Sequence, residues 1–191
     1  SDPRGSMARV RIYLPTTLGM LSARLPALTV TGGTVDPRTA VADAGAVVYA
    51  VTPALREWYR EGDTEELEYV ALTRAARASL QLLAKELATA QGTLVEGRVR
   101  RAVLAADVPE TGARAASDLD VAAVRLAVPL PFSALAALHV DESAVEGEVI
   151  QAATALAAAL DGDEDARFVV DGLDDHELLW YAVQEIGFVL S

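Results

Sequence analysis

Two hexapeptides far apart in the chain alternate in the same way: Val10-Arg11-Ile12-Tyr13-Leu14-Pro15 and Val124-Arg125-Leu126-Ala127-Val128-Pro129. A period of two predicts strands, with Val10, Ile12 and Leu14 on one face and Arg11 and Tyr13 on the other. In the second copy Val124, Leu126 and Val128 oppose Arg125. Proline cannot donate to a sheet ladder, so it is expected to end each strand. A short apolar helix follows the first strand from Thr16 to Leu25, capped by Thr16 or Thr17 and stopped by Pro26. Gly32-Gly33 and Asp36-Pro37 mark a turn-rich stretch. It carries neither the dinucleotide fingerprint nor a P-loop Gly-Lys-Ser/Thr.

Ala46–Val51 is apolar on both faces, as a covered central strand would be. Pro53 opens a short helical piece with Trp58 and Tyr59. The spacing of Leu72, Ala76, Leu80, Leu83 and Leu87 predicts a long helix from about Thr64 to Ala90, started by Asp63 with Glu66 and ended by Gln91-Gly92. Val99–Val108 reads as the next strand, and Pro109 to Ser117 as a polar linker. The second half runs strand (Val121–Val128), strand (Ala134–Val140), helix to Leu160 behind a Ser143/Glu146 capping box, then strand (Arg167–Val170). A last helix is expected from Asp174/Glu177 through Ile186, ended by Gly187. Its apolar residues cover more than one stripe, so it is either buried on two sides or partly an interface.

Each half therefore reads strand, connection, strand, long helix, strand. The fold class is α+β, with duplicated strand–helix units of the ferredoxin-like kind forming a mixed sheet packed by helices. Ser1–Ser6 reads as a cloning remnant. Residues 7–191 are expected to form a single α+β domain of two halves, about 7–108 and 118–191.

Composition narrows the function classes. Apolar residues make up 52% of the 191, which argues against disorder. No apolar run approaches a membrane span and no leader is expected after Met7, so a cytoplasmic protein is expected. The absence of cysteine excludes disulfides, thiolate metal sites and a Cys nucleophile. The net charge of −12 arises wholly after residue 140, where 13 acidic residues face one basic residue, Arg167. Nucleic acid is accordingly not an expected partner, nor is a membrane.

The segments Val10-Arg11-Ile12-Tyr13-Leu14-Pro15-Thr16-Thr17-Leu18 and His176-Glu177-Leu178-Leu179-Trp180-Tyr181-Ala182 resemble a family of uncharacterised actinobacterial proteins, a domain of unknown function. One Lys against fifteen Arg, with heavy Ala and Val usage, agrees with a GC-rich source. The resemblance implies a single domain over nearly the whole chain after Met7. It carries no activity, cofactor or catalytic residue.

The chemical candidates are few. Asp161, Asp163 and Asp165 alternate like the start of a Ca²⁺ loop, but Ala166 and Gly172 stand where the loop needs Gly and a bidentate Glu, so a solvated acidic turn is favoured. His139 and His176 lack the helical His-x-x-x-His spacing, and no Gly-x-Ser-x-Gly elbow occurs. No catalytic residue, metal site or cofactor is expected. The strand alternation instead places Arg11, Tyr13 and Arg125 on polar faces, with His139 as a neighbour, as a candidate surface for an anion or a partner. The other reading has each Arg paired with a carboxylate or facing water. Two functions fit: a non-enzymatic binding or protein-interaction module, with a homodimer as one form, and alternatively a small enzyme acting on an anionic metabolite held by arginines. The first is preferred, because no nucleophile, base or metal cluster stands out.

Overall fold

A computed structural model describes residues 8–90 and 95–191. The expected remnant at residues 1–6 and the helix stop at Gln91-Gly92 lie outside them. The chain runs β1 (Arg9–Thr16), α1 (Leu18–Arg24), β2 (Ala40–Ala42), β3 (Val47–Ala50), α2 (Pro53–Trp58), α3 (Thr64–Thr89) and β4 (Ala102–Pro109). It continues through β5 (Ala113–Ala115), β6 (Ala123–Leu126), β7 (Leu130–Pro131), β8 (Leu135–Val140), α4 (Glu146–Leu160), α5 (Glu164–Asp171), β9 (Leu179–Ala182) and α6 (Ile186–Leu190).

Seven strands form one sheet in the order β5-β6-β3-β1-β4-β8-β9, and every ladder in it is antiparallel rather than mixed. β2 and β7 make a separate pair. The α+β class is as expected, but the two similar hexapeptides occupy different places. β1 lies between β3 and β4 of its own half, whereas β6 lies between β5 and first-half β3. Strands of the second half thus extend both ends of the first half's sheet instead of repeating it. The shared alternation reports that Ile12 and Leu14 of β1 and Val124 and Leu126 of β6 face the same core layer, which any two strands of one sheet can share without being repeats.

Pro15 sits inside β1, not at its end. The ladder with β3 stops at Tyr13, so Pro15 stands beyond it, where a missing N–H interrupts no pairing. Two layers cover the sheet. On one face Ile12, Leu14, Leu104 and Leu138 pack with Leu18, Leu21, Leu25 and Ile186. Each such fully buried aliphatic side chain contributes roughly 1.5–3 kcal/mol relative to exposure. The other face carries α3, whose Ala71, Ala75 and Ala76 meet Val103, Ala105 and Ala137. Alanine on both sides of that contact brings the helix axis close to the sheet. Asp63 and Glu66 form the expected capping box, at 2.9 and 3.1 Å. Ser79, fully buried, pins α3 to two strands: its Oγ donates to the Thr16 carbonyl (2.7 Å) and accepts from the Ala102 amide (3.0 Å).

The last thirty residues differ from the expectation. Arg167–Val170 is helical, within α5, because the Asp163 side chain accepts from the Ala166 amide and starts a turn there. Ala166 and Val170, one turn apart, are then buried against α4. The expected last helix is a strand at Leu179–Ala182, preceded and followed by 3₁₀ turns, and Gly187 lies inside α6. β8 offers an unpaired edge, and Leu-Trp-Tyr fits a pleated surface better than a helix interior. Ser143 and Glu146 make no capping box; Glu146 instead accepts from the Gly97 and Val99 amides, both at 3.0 Å.

Candidate binding site beside the sheet edge

Register decides which polar residues meet. Arg11 lies directly opposite Asp107 on β4, and Tyr13 opposite Ala105. Ala105 is in turn opposite Ala137 on β8, two residues before His139. The short side chains of Ala105 and Ala137 leave space above the sheet, and the rings of Tyr13 and His139 meet across it edge to face, centroids 6.3 Å apart. The structure therefore brings together three of the four residues singled out from the sequence.

Arg11 is engaged from within. Its Nε and Nη2 donate to the two Asp107 carboxylate oxygens at 2.7 and 3.0 Å, a bidentate fork. That hydrogen bond holds the Asp107 carboxyl below its ordinary 3.8 and raises the guanidinium further. Burial pushes the Tyr13 hydroxyl upward, and the Glu68 carboxylate adds to it. Burial, then the positive charge of Arg11, pushes the His139 imidazole below its ordinary 6.5. His139 is thus neutral at pH 7 and offers a hydrogen bond rather than a charge.

Arg125 stands apart. It faces Val47, two residues before the Tyr49 that faces Tyr13, so it shares the Tyr13 side of the sheet. However, β3 separates β6 from β1, and the register places Arg11 four residues further along. Strand spacings put the two backbones roughly 16 Å apart. Since Arg11 turns to Asp107 on its far side, the two forks cannot close on one small anion. The arginines expected to hold an anionic metabolite beside His139 are therefore not assembled there.

A pocket of about 210 Å³ opens beside His139 instead. Tyr69, Leu72 and Thr73 of α3 form one wall, and His176, Leu178 and Trp180 the other. Trp180 is opposite His139 in the β8–β9 ladder and is 62% exposed; Tyr69 is 52% exposed. β9 is the last strand of the sheet, and no described strand pairs with its outer side. Trp180, Tyr69 and Leu178 were not legible as a site, because the pocket joins three elements whose proximity no local pattern announces.

The wall is held by a buried ion pair. Asp141, with no exposed surface, accepts from the Arg101 amide and Nε (2.9 Å each) and from Nη2 (2.7 Å). Arg101 Nη2 also donates to the His176 carbonyl at 3.2 Å, tying the segment before β9 to the β4–β8 junction. His176 Nε2 lies 2.6 Å from a Glu148 oxygen, and Arg77 reaches Asp171 and Asp174. The pocket is thus underpinned by a buried ion pair while its aromatic rim is exposed.

Among the described residues no helix is long and apolar enough to cross a membrane, and no cluster of three or more His, Asp or Glu is placed to hold a metal. No curated protein and no solved structure matches the chain. Residues 10–190 match the profile described as Family of unknown function (DUF6912), and the chain belongs to that family.

Proposed function

We propose that this protein is a non-enzymatic binding module, a single cytoplasmic domain that takes an extended basic peptide segment along β9, with an apolar or aromatic side chain in the pocket beside His139. The observation that carries the reading is the outer side of β9, which no described strand pairs and which bears exposed Leu179 and Trp180 next to a concave pocket. An unpaired edge presents backbone donors and acceptors to an incoming strand, and an adjoining pocket reads its alternate side chains. Charge selects the partner. Residues 171–185 contain five acidic residues and no Lys or Arg; Arg77 pairs with Asp171 and Asp174, and Asp175, Glu177 and Glu185 have no ion-pair partner among the described residues. Two copies joined edge to edge would oppose these carboxylates, whereas a basic segment complements them.

The test is fluorescence anisotropy with a labelled peptide of alternating Arg and Tyr, and with its Glu–Tyr counterpart. The basic peptide is expected to bind, to weaken with salt, and to lose about tenfold or more in affinity on Trp180→Ala, as truncation of an aromatic anchor does. Equal binding of both peptides, or no effect of Trp180→Ala, contradicts the proposal. A dimer in sedimentation that Trp180→Ala abolishes would assign the edge to a second copy.

A further inference from the structure

We infer a second binding site on the opposite flank of α3, for an amphiphilic anion: an acyl-chain carboxylate or phosphate whose apolar body enters a cleft and whose head meets Arg125, Arg114 and Lys85. The first observation is a like-charge pair. Arg114 on β5 and Arg125 on β6 are directly opposed in the ladder and both are exposed. Like charges directly opposite on one face destabilise a sheet pair. Among the described residues neither guanidinium makes an ion pair, and Arg125 only reaches the Gly45 carbonyl at 3.5 Å. Two adjacent forks without a carboxylate suit a planar anion bound at several points.

The second observation is independent of the first. A cleft of about 630 Å³ lies between α3, α1, the β2–β3 turn and the sheet. Its volume is that of a small-ligand site, and its lining is mainly apolar, with Met20, Val41, Val47 and Leu82 among it. Val47, which lines the cleft, is directly opposite Arg125 on the neighbouring strand, so Arg125 stands one strand outside the cleft on the same side of the sheet. Lys85, the chain's single lysine, lines it from the helix side and has no ion-pair partner among the described residues. Arg24 also lines the cleft but is engaged by Asp43 at 2.9 and 3.1 Å. Lys85 therefore lines the apolar cleft, and Arg125 and Arg114 stand one and two strands beyond its Val47 wall, none of the three with a carboxylate partner among the described residues, in a protein whose net charge is −12. An amphiphile satisfies both halves of that arrangement, and an inorganic anion satisfies only one.

The experiment titrates the full chain with decanoate, decyl phosphate and decanol, following amide chemical shifts. Decanoate or decyl phosphate is expected to bind at least about tenfold more tightly than decanol, since charge-assisted forks read the head. Shifts should map to Val47, Leu82 and Lys85, leaving Trp180 unmoved. Whichever acid binds more tightly identifies the head. Arg114→Ser/Arg125→Ser is expected to erase the preference over decanol and to raise the melting temperature of the unliganded protein, because the repulsion is gone. Lys85→Gln keeps the fold and should lower affinity for the acid alone. Equal binding of acid and alcohol, shifts confined to other surfaces, or a double variant that retains the preference would overturn the inference. Binding of a basic peptide at β9 is unaffected by any of these outcomes.

Discussion

Removing the Asp141 carboxylate should destabilise the protein more than any change at an exposed ion pair. Asp141 is fully buried and takes three hydrogen bonds from Arg101, which is itself only 4% exposed. Asp141→Ala leaves a guanidinium in the interior without a counter-charge, and breaking such a pair from one side costs about 3–5 kcal/mol. In a chain of this length 1 kcal/mol shifts the melting temperature by about 2–4 °C, so a fall of about 6–20 °C is expected. Arg101→Met should cost a comparable amount, since it leaves a buried carboxylate. The double variant Arg101→Met/Asp141→Leu removes both charges and fills much of the space, and it should lose far less than the two single losses together. Urea denaturation of the wild type, Arg101→Met, Asp141→Leu and the double variant measures the cycle, with Asp141→Ala measured beside them. A loss below about 1 kcal/mol for Asp141→Ala, or strict additivity in the double variant, would refute the reasoning, because the pair would then behave like an exposed one. Because Arg101 also holds the His176 carbonyl, hydrogen exchange between residues 172 and 178 should quicken in Asp141→Ala.

Three further outcomes are expected. His139 has a lowered folded pKa, so the folded state binds fewer protons than the unfolded chain between that value and 6.5. Its stabilising effect is fully present above about 6.5 and is lost as pH falls through that window, so His139→Gln should flatten the stability profile there. The Asp107 contribution is lost only as pH falls below its ordinary 3.8. Ser79→Ala orphans the buried Ala102 amide and the Thr16 carbonyl and should cost about 1–3 kcal/mol in urea unfolding. Thermal unfolding from low to moderate NaCl should show rising stability, because the exposed carboxylates of Asp161, Asp163, Glu164, Asp165, Asp175 and Glu177, which make no ion pair among the described residues, repel across distances that 0.1 M salt screens over about 10 Å. A flat or falling trend would mean that they are already paired.

The parts of the fold that alternation or helical spacing could specify were readable. β1, β3, β4, β8 and the helices α3 and α4 lie where their patterns put them, because the helices carry one apolar stripe, β1 alternates, and β3 and β4, covered on both sides, read as apolar runs. Residues 161–191 were not readable for a different reason. Asp174 and Glu177 have the spacing of a helix start, and only the distant edge of β8, forty residues earlier, makes Leu179–Ala182 a strand. Pairings of that kind are invisible to any local window. The candidate site shows the same division. Alternation put Arg11 and Tyr13 on one face of their strand and Arg125 opposite the apolar face of its own; the ladders through β3 place Arg125 on the Tyr13 side of the sheet. Strand order, which alternation does not contain, then separated Arg125 from them and brought in Trp180 and Tyr69.

The most direct test of the account is amide hydrogen exchange across Leu179–Ala182, with and without the Arg–Tyr peptide. If the outer side of β9 is a docking edge, the peptide should slow exchange at its outward amides and at the pocket wall around Leu178, leaving the buried amides of β1 and β4 unchanged. Unchanged exchange in β9 under saturating peptide, or protection appearing only on other elements, would contradict the claim that this edge is where the protein binds.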